Sequence, residues 1–175
     1  LGMGLLIIFG HNLLDGIVMQ GQSLQDIVWY ILHQEQRIPL NPNYTIVLKY
    51  PLVPWIGIMA LGYCFGQLYS KGFDATIRKN WLLNMGFASI GLFFLLRSLN
   101  LYGNLMPWSM QDTTAKTIMS FVSLTKYPPS LLYFCITLGP SILFLYAFET
   151  TKNKLTDFFL VFGRVPLFYY FLHVF

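Results

Sequence analysis

The chain has 175 residues, of which 55% are apolar and 10% charged, and its mean hydropathy is +0.56. A water-soluble domain carries about 25% charged residues, so this composition excludes an ordinary globular enzyme or nucleic-acid-binding module. Eleven Lys and Arg against seven Asp and Glu give +4 without any basic run, which makes the charge a matter of membrane topology and leaves no nucleic-acid partner.

Apolar runs at 1–18, 51–69, 81–102, 131–148 and 166–175 predict an all-α fold, a polytopic transmembrane helix bundle forming one membrane domain over 1–175. A hydrocarbon core of about 30 Å takes roughly 20 helical residues to cross. The first run ends in His11, Asn12 and Asp15. His11 and Asp15 stand four residues apart, one turn on the same helix face, where a carboxylate orients an imidazole for proton transfer or simply forms an interfacial hydrogen bond. Next, Leu24, Ile27, Val28, Ile31 and Leu32 recur at helical spacing behind Ser23, with Asp26 in a capping-box position. An amphipathic interfacial helix is therefore expected over 23–35, with Trp29 and Tyr30 at headgroup level.

The run 51–69 opens with Pro51, Pro54 and Trp55 and carries Gly62 and Gly66, a small-xxx-small pair. That pair would serve a close helix contact, a groove beside the glycines or the seam of a homodimer. Arg97 lies in the outer part of the run 81–102. A charged group there either snorkels outward or faces a polar cavity, where it would clamp an anion or a carbonyl. A second amphipathic helix is expected over 113–124, stopped by Pro128 and Pro129, with Ser130 opening the run 131–148. Cys64 and Cys135 sit inside apolar runs as packing residues and form neither a disulfide framework nor a metal motif.

Pro166 cannot occupy a helix interior without losing a backbone hydrogen bond, whereas the first turn tolerates it. The expectation is an interfacial helix over 156–162, a break at 163–165 and a new helix from Pro166, of which ten residues are present. Arg164 at that break is placed to bind a phosphate or carboxylate, to bind lipid headgroups, or to pair with Asp157. His173 is an intramembrane histidine beside Tyr169 and Tyr170, a functional candidate or a hydrogen bond between helices. Because Leu1 is not an initiator Met and both ends lie in apolar runs, the chain is expected to be part of a longer protein. Lys71, Arg78, Lys79, Lys152 and Lys154 crowd the short connections 70–80 and 149–157, whereas the long ones hold only Arg37, Lys49, Lys116 and Lys126. The short connections are thus expected in the cytoplasm.

Three stretches carry a resemblance. They are YPLVPWIGIMALGYCFGQLY at 50–69, TKYPPSLLYFCITLG at 125–139 and FGRVPLFYYFLH at 162–173. Together they resemble the heparan-α-glucosaminide N-acetyltransferase-like group of multi-pass membrane proteins, in particular its bacterial branch. The resemblance implies transfer of acetyl from acetyl-CoA, without a metal, to an amino sugar or glycan across the lipid bilayer. It implies functional roles for Arg164 and His173, and it places the family's main catalytic histidine upstream of this sequence. His11, Asp15 and Arg97 are candidates from local reading alone. The competing expectations are a transporter or flippase for a small anionic or lipid-linked metabolite, with the broken helix lining its path, and a non-catalytic membrane scaffold.

Overall fold

The computed structural model describes residues 1–174, with the side chains of 155, 169, 173 and 174 outside the described set. The fold is mostly helical, 64% helix against 8% strand. Three helices are long and apolar enough to cross a membrane: α3 (Leu52–Gly66, continued by a 3₁₀ turn to Tyr69), α4 (Ala75–Leu99) and α6 (Leu131–Phe148). Their buried share is only 11%, 22% and 28%, so apolar surface covers the outside as well as the core.

The first run is shorter than its composition predicts. Helix α1 (Gly2–Gly10) passes into a 3₁₀ turn at His11–Leu14 and stops at a turn over Asp15 and Gly16 instead of extending to 18. Helix α4 is longer, starting at 75 because the Asp74 carboxylate accepts from Ile77 N–H at 2.8 Å and caps it. The amphipathic helices form as α2 (Leu24–Leu32) and α5 (Thr114–Val122), the former with the expected Ser23/Asp26 capping box. Its hydrogen bonds from Ser23 hold the Asp26 carboxyl below the usual carboxylate range. Helix α7 (Lys154–Arg164) begins at an Asn153 cap and runs through Gly163, so the break before α8 (Pro166–Val174) narrows to Val165.

An all-α fold is not what forms after α2. Strands β1 (Gln36–Asn41) and β2 (Tyr44–Leu48) pair antiparallel, with Gln36 opposite Leu48 and an irregularity between Pro39 and Asn41. Thr45, Ile46 and Val47 favour a strand, and Asn41 Oδ1 accepts from Asn43 N–H at 2.9 Å to close the turn.

Glycines set the helix packing. A methyl group at Gly86 on α4 would lie 2.5 Å from Leu143 Cδ2 and 3.2 Å from the Gly139 carbonyl oxygen on α6. One at Gly139 would meet Ile90 Cγ1 at 2.8 Å and the Gly86 carbonyl oxygen at 3.2 Å. Gly4 and Gly57 make the equivalent contact between α1 and α3, where a Gly4 methyl would stand 2.9 Å from Leu61 Cδ2 and 3.2 Å from the Gly57 carbonyl oxygen. Gly62 and Gly66 do not take part, since nothing lies within 4 Å of a methyl on either.

The two helix pairs leave between them an apolar cleft of about 470 Å³. Phe65, Met85 and Leu145 line it toward one end, Phe9, Leu131 and Phe134 toward the other, and Gly62 borders it. At the first, basic end, Arg78 bonds to Glu149 and, at 3.3 Å, to the Leu68 carbonyl, while stacking 5.1 Å from the Tyr69 ring. At the other, cap end, Leu132 N–H donates to Gly103 O at 3.0 Å and the Tyr102 hydroxyl to Phe9 O, joining α1 and α6 to the segment that follows α4.

Gly86→Val should therefore lower stability by about 1–3 kcal/mol or more through overpacking, whereas Gly62→Ala should be neutral or stabilise slightly. Thermal unfolding of both variants in detergent checks this, and equal losses would contradict the assignment of the packing glycines.

Candidate functional site

At the cap end the chain turns sharply out of α1, and the 3₁₀ turn leaves His11 and Asn12 buried with Asp15 just beyond. The Asn12 side chain is a hinge pin. Its Oδ1 accepts from Leu131 N–H at 2.9 Å, and its Nδ2 donates to Asp15 Oδ2 at 2.8 Å. One amide thus fixes both the start of α6 and the orientation of the carboxylate.

Helix α2 is docked over this turn by four bonds. Trp29 Nε1 donates to Ile17 O at 3.0 Å, the Tyr30 hydroxyl to Gly21 O at 2.8 Å, and the Gln34 amide both donates to and accepts from the Met19 backbone at 2.9 Å. Docking delivers His33, the residue that ends α2, onto Asp15, with Nε2 at 3.1 Å from Oδ1. The His33 ring lies 5.8 Å from the His11 ring, edge to face, and 5.2 Å from Trp29.

His11 is 2% and His33 3% exposed. Both ring nitrogens of His11 and Nδ1 of His33 are buried without a hydrogen-bond partner among the described residues. Each such atom costs about 1–3 kcal/mol, so a merely structural histidine would be expected to find a partner. An imidazole with a free lone pair, beside a ring bonded to a carboxylate, is instead equipped to donate that lone pair to a cation.

His11 and Asp15, chosen from the sequence, are thus brought together, and His33 joins them. Sequence reasoning passed over His33. The available signal was its place at the end of an amphipathic helix in a chain with three histidines.

The other candidates lie elsewhere. Arg97 neither snorkels nor faces an open cavity: it is 2% exposed, and four of its N–H groups are committed to backbone carbonyls. It donates to Phe121 O at 2.8 Å, Ser120 and Ser123 O at 2.9 Å, and Met106 O at 3.1 Å. Its charge thereby caps the C-terminal end of α5, an arrangement that serves the loop and corrects the expectation of a cofactor clamp. Trp108 Nε1 closes the same loop onto Arg97 O at 2.8 Å. Arg164 is exposed at the last position of α7. The side chain of His173 lies outside the described residues. Cys64 and Cys135 are free, Cys135 in the core.

A further polar group lies at the cap end outside the helices. Lys49 and Lys126 sit 4.8 and 5.4 Å from the Tyr127 ring centre, and Tyr50 meets that ring edge-on at 5.1 Å. The Tyr50 hydrogen bond and the two ammonium groups lower the Tyr127 phenol from its ordinary value.

Compared with protein-family models, curated proteins and solved structures, the chain has no match in any of the three.

Arg97→Met should free the carbonyls that now cap α5 and speed amide exchange over 114–122 by at least about tenfold, the equivalent of a single lost bond of about 1.4 kcal/mol. Exchange unchanged from the parent protein would remove Arg97 as the anchor of that loop.

Proposed function

We propose that this chain belongs to a polytopic membrane acyltransferase that moves acetyl from acetyl-CoA to an amino sugar or glycan. The observation that carries the reading is the position of the buried His11–Asp15–His33 group beside one end of an apolar cleft that runs toward the opposite, basic end. The membrane assignment is supported by the three long apolar helices and their largely uncovered surfaces, which in water would form an aggregating apolar patch. The acyl donor is supported by the motif resemblance at 162–173 alone.

Acetyl transfer to an amine forms a C–N bond and breaks the thioester C–S bond; the amine loses a proton and the leaving thiolate gains one. The cap-end group supplies the proton-accepting function, with Asp15 orienting His33 and the burial of both rings keeping water from competing with the acceptor. At the opposite end, Lys71, Lys79, Lys152 and Lys154 belong to the face that attracts the CoA phosphates, and Arg164 joins them by motif. In this orientation the basic end is cytoplasmic and the cap end external.

Protein in nanodiscs, incubated with radiolabelled acetyl-CoA and a panel of amino sugars, should transfer label to an acceptor. His33→Gln should lower the rate by about 10²- to 10⁴-fold, and Arg164→Ala should weaken acetyl-CoA binding with less effect on turnover. Absence of both transfer and saturable acetyl-CoA binding would overturn the reading in favour of transport.

A further inference from the structure

The same cap-end group has the makings of a metal centre, and we propose that His11, Asp15 and His33 bind a zinc-class divalent ion with one coordination position open to water or substrate. One ligand atom from each residue lies within 4.8 Å of the other two, and the His33–Asp15 pair is already at 3.1 Å. Ligands on a tetrahedral zinc, with bonds of about 2.0–2.1 Å, stand roughly 3.3 Å apart. The widest spacing has to close by about 1.5 Å for the three to share one ion.

Several independent features favour a cation over a simple hydrogen-bonded cluster. Both histidines are more than nine-tenths buried, yet three of their four ring nitrogens have no partner among the described residues. A cation among them would use lone pairs that the protein otherwise leaves idle at a cost of stability. The carboxylate is held from behind by Asn12 Nδ2 at 2.8 Å, the outer hydrogen bond by which a ligand is fixed in orientation. Two imidazoles and one carboxylate suit zinc and its transition-metal neighbours, whereas calcium or magnesium would want an all-oxygen shell. Three protein ligands with a fourth position free is the pattern of a catalytic site and not of a closed structural one.

The ligands come from two separate segments, the turn after α1 and the end of α2. Metal binding therefore ties the α2 docking to the start of α6 through Asn12, and stabilises that end as it loads. The proposal rests on and deepens the reading of the cap-end group as a reaction centre: with the ion bound, His33 and Asp15 are its ligands, and the proton-accepting role given to His33 would pass to a metal-held water, beside Lewis-acid polarisation of a carbonyl oxygen. Its test is independent of acyl transfer.

Protein purified in detergent, stripped with chelator and titrated with cobalt(II), should develop the intense visible bands of a four-coordinate nitrogen and oxygen site. One equivalent of zinc per chain should abolish them. Asp15→Asn and His33→Gln should each weaken zinc binding by more than about 100-fold, beyond what loss of an outer partner costs, while Cys64→Ala leaves one equivalent bound. X-ray absorption of the zinc-loaded parent protein should report two imidazoles, a readout that stands even where a variant fails to fold. Cobalt spectra of the free aquo ion only, or zinc retained at parent affinity in a folded Asp15→Asn, His33→Gln double variant, would overturn the metal site. Acetyl transfer measured in the stripped protein separates the two ideas. Transfer at full rate without metal, in a protein that binds no zinc, retains the acyltransferase and removes the ion.

Discussion

Backbone contact between helices at glycine is the constraint from which the remaining architecture follows. Apolar helices gain little from burying apolar side chains when their other faces are also apolar, so close approach and dispersion must hold them. Gly86 against Gly139, and Gly4 against Gly57, bring the helices together in two tight pairs. Each pair is close because a side chain is missing, and the Leu143, Ile90 and Leu61 side chains fold over the gaps. The same economy leaves the pairs separated from each other by the cleft. Packing strength and cavity are therefore two results of one distribution of small residues.

Buried polar groups are treated in two opposite ways. Arg97 is a full charge in an apolar setting, and four backbone carbonyls surround it, so its burial is compensated and the 100–124 loop is pinned. Arg78 and Glu149 do the same at the basic end by pairing with each other, although Glu149 keeps one buried oxygen without a partner. His11 and His33 are the exception, since Asp15 satisfies one ring nitrogen of the four. The structure thus satisfies an arginine completely, yet leaves two imidazoles short of partners a few ångströms from a carboxylate.

Much of the helical layout was legible because length and apolar composition decide it. The runs 51–69 and 131–148 coincide with the observed helices, and Ser23, Asp26 and Ser130 act as the caps their chemistry implies. Hydropathy misplaced the start of α4, since Arg78 and Lys79 read as loop residues while the decisive signal was the Asp74 cap. The hairpin escaped because Pro39 interrupts one strand and the alternation on either side of Asn41 is weak. Glycine spacing was a partial guide: Gly62 and Gly66 form the more recognisable motif, yet neither packs against another helix of the chain, and Gly62 instead borders the cleft. In the site, His11 and Asp15 were visible as a local pair. His33 was not, because its approach depends on Trp29, Tyr30 and Gln34 docking α2 across a sequence separation of 18 residues.

On the reading proposed above, the cap-end histidines are held at a cost of stability for chemistry. The thermal midpoint of His11→Leu against the parent protein, in detergent with chelator present, tests it most directly. An imidazole buried without partners should be replaced by an apolar side chain of similar size with no loss, or with a gain of about 1 kcal/mol or more. A drop of several kcal/mol would instead mark His11 as a satisfied structural residue and contradict the account.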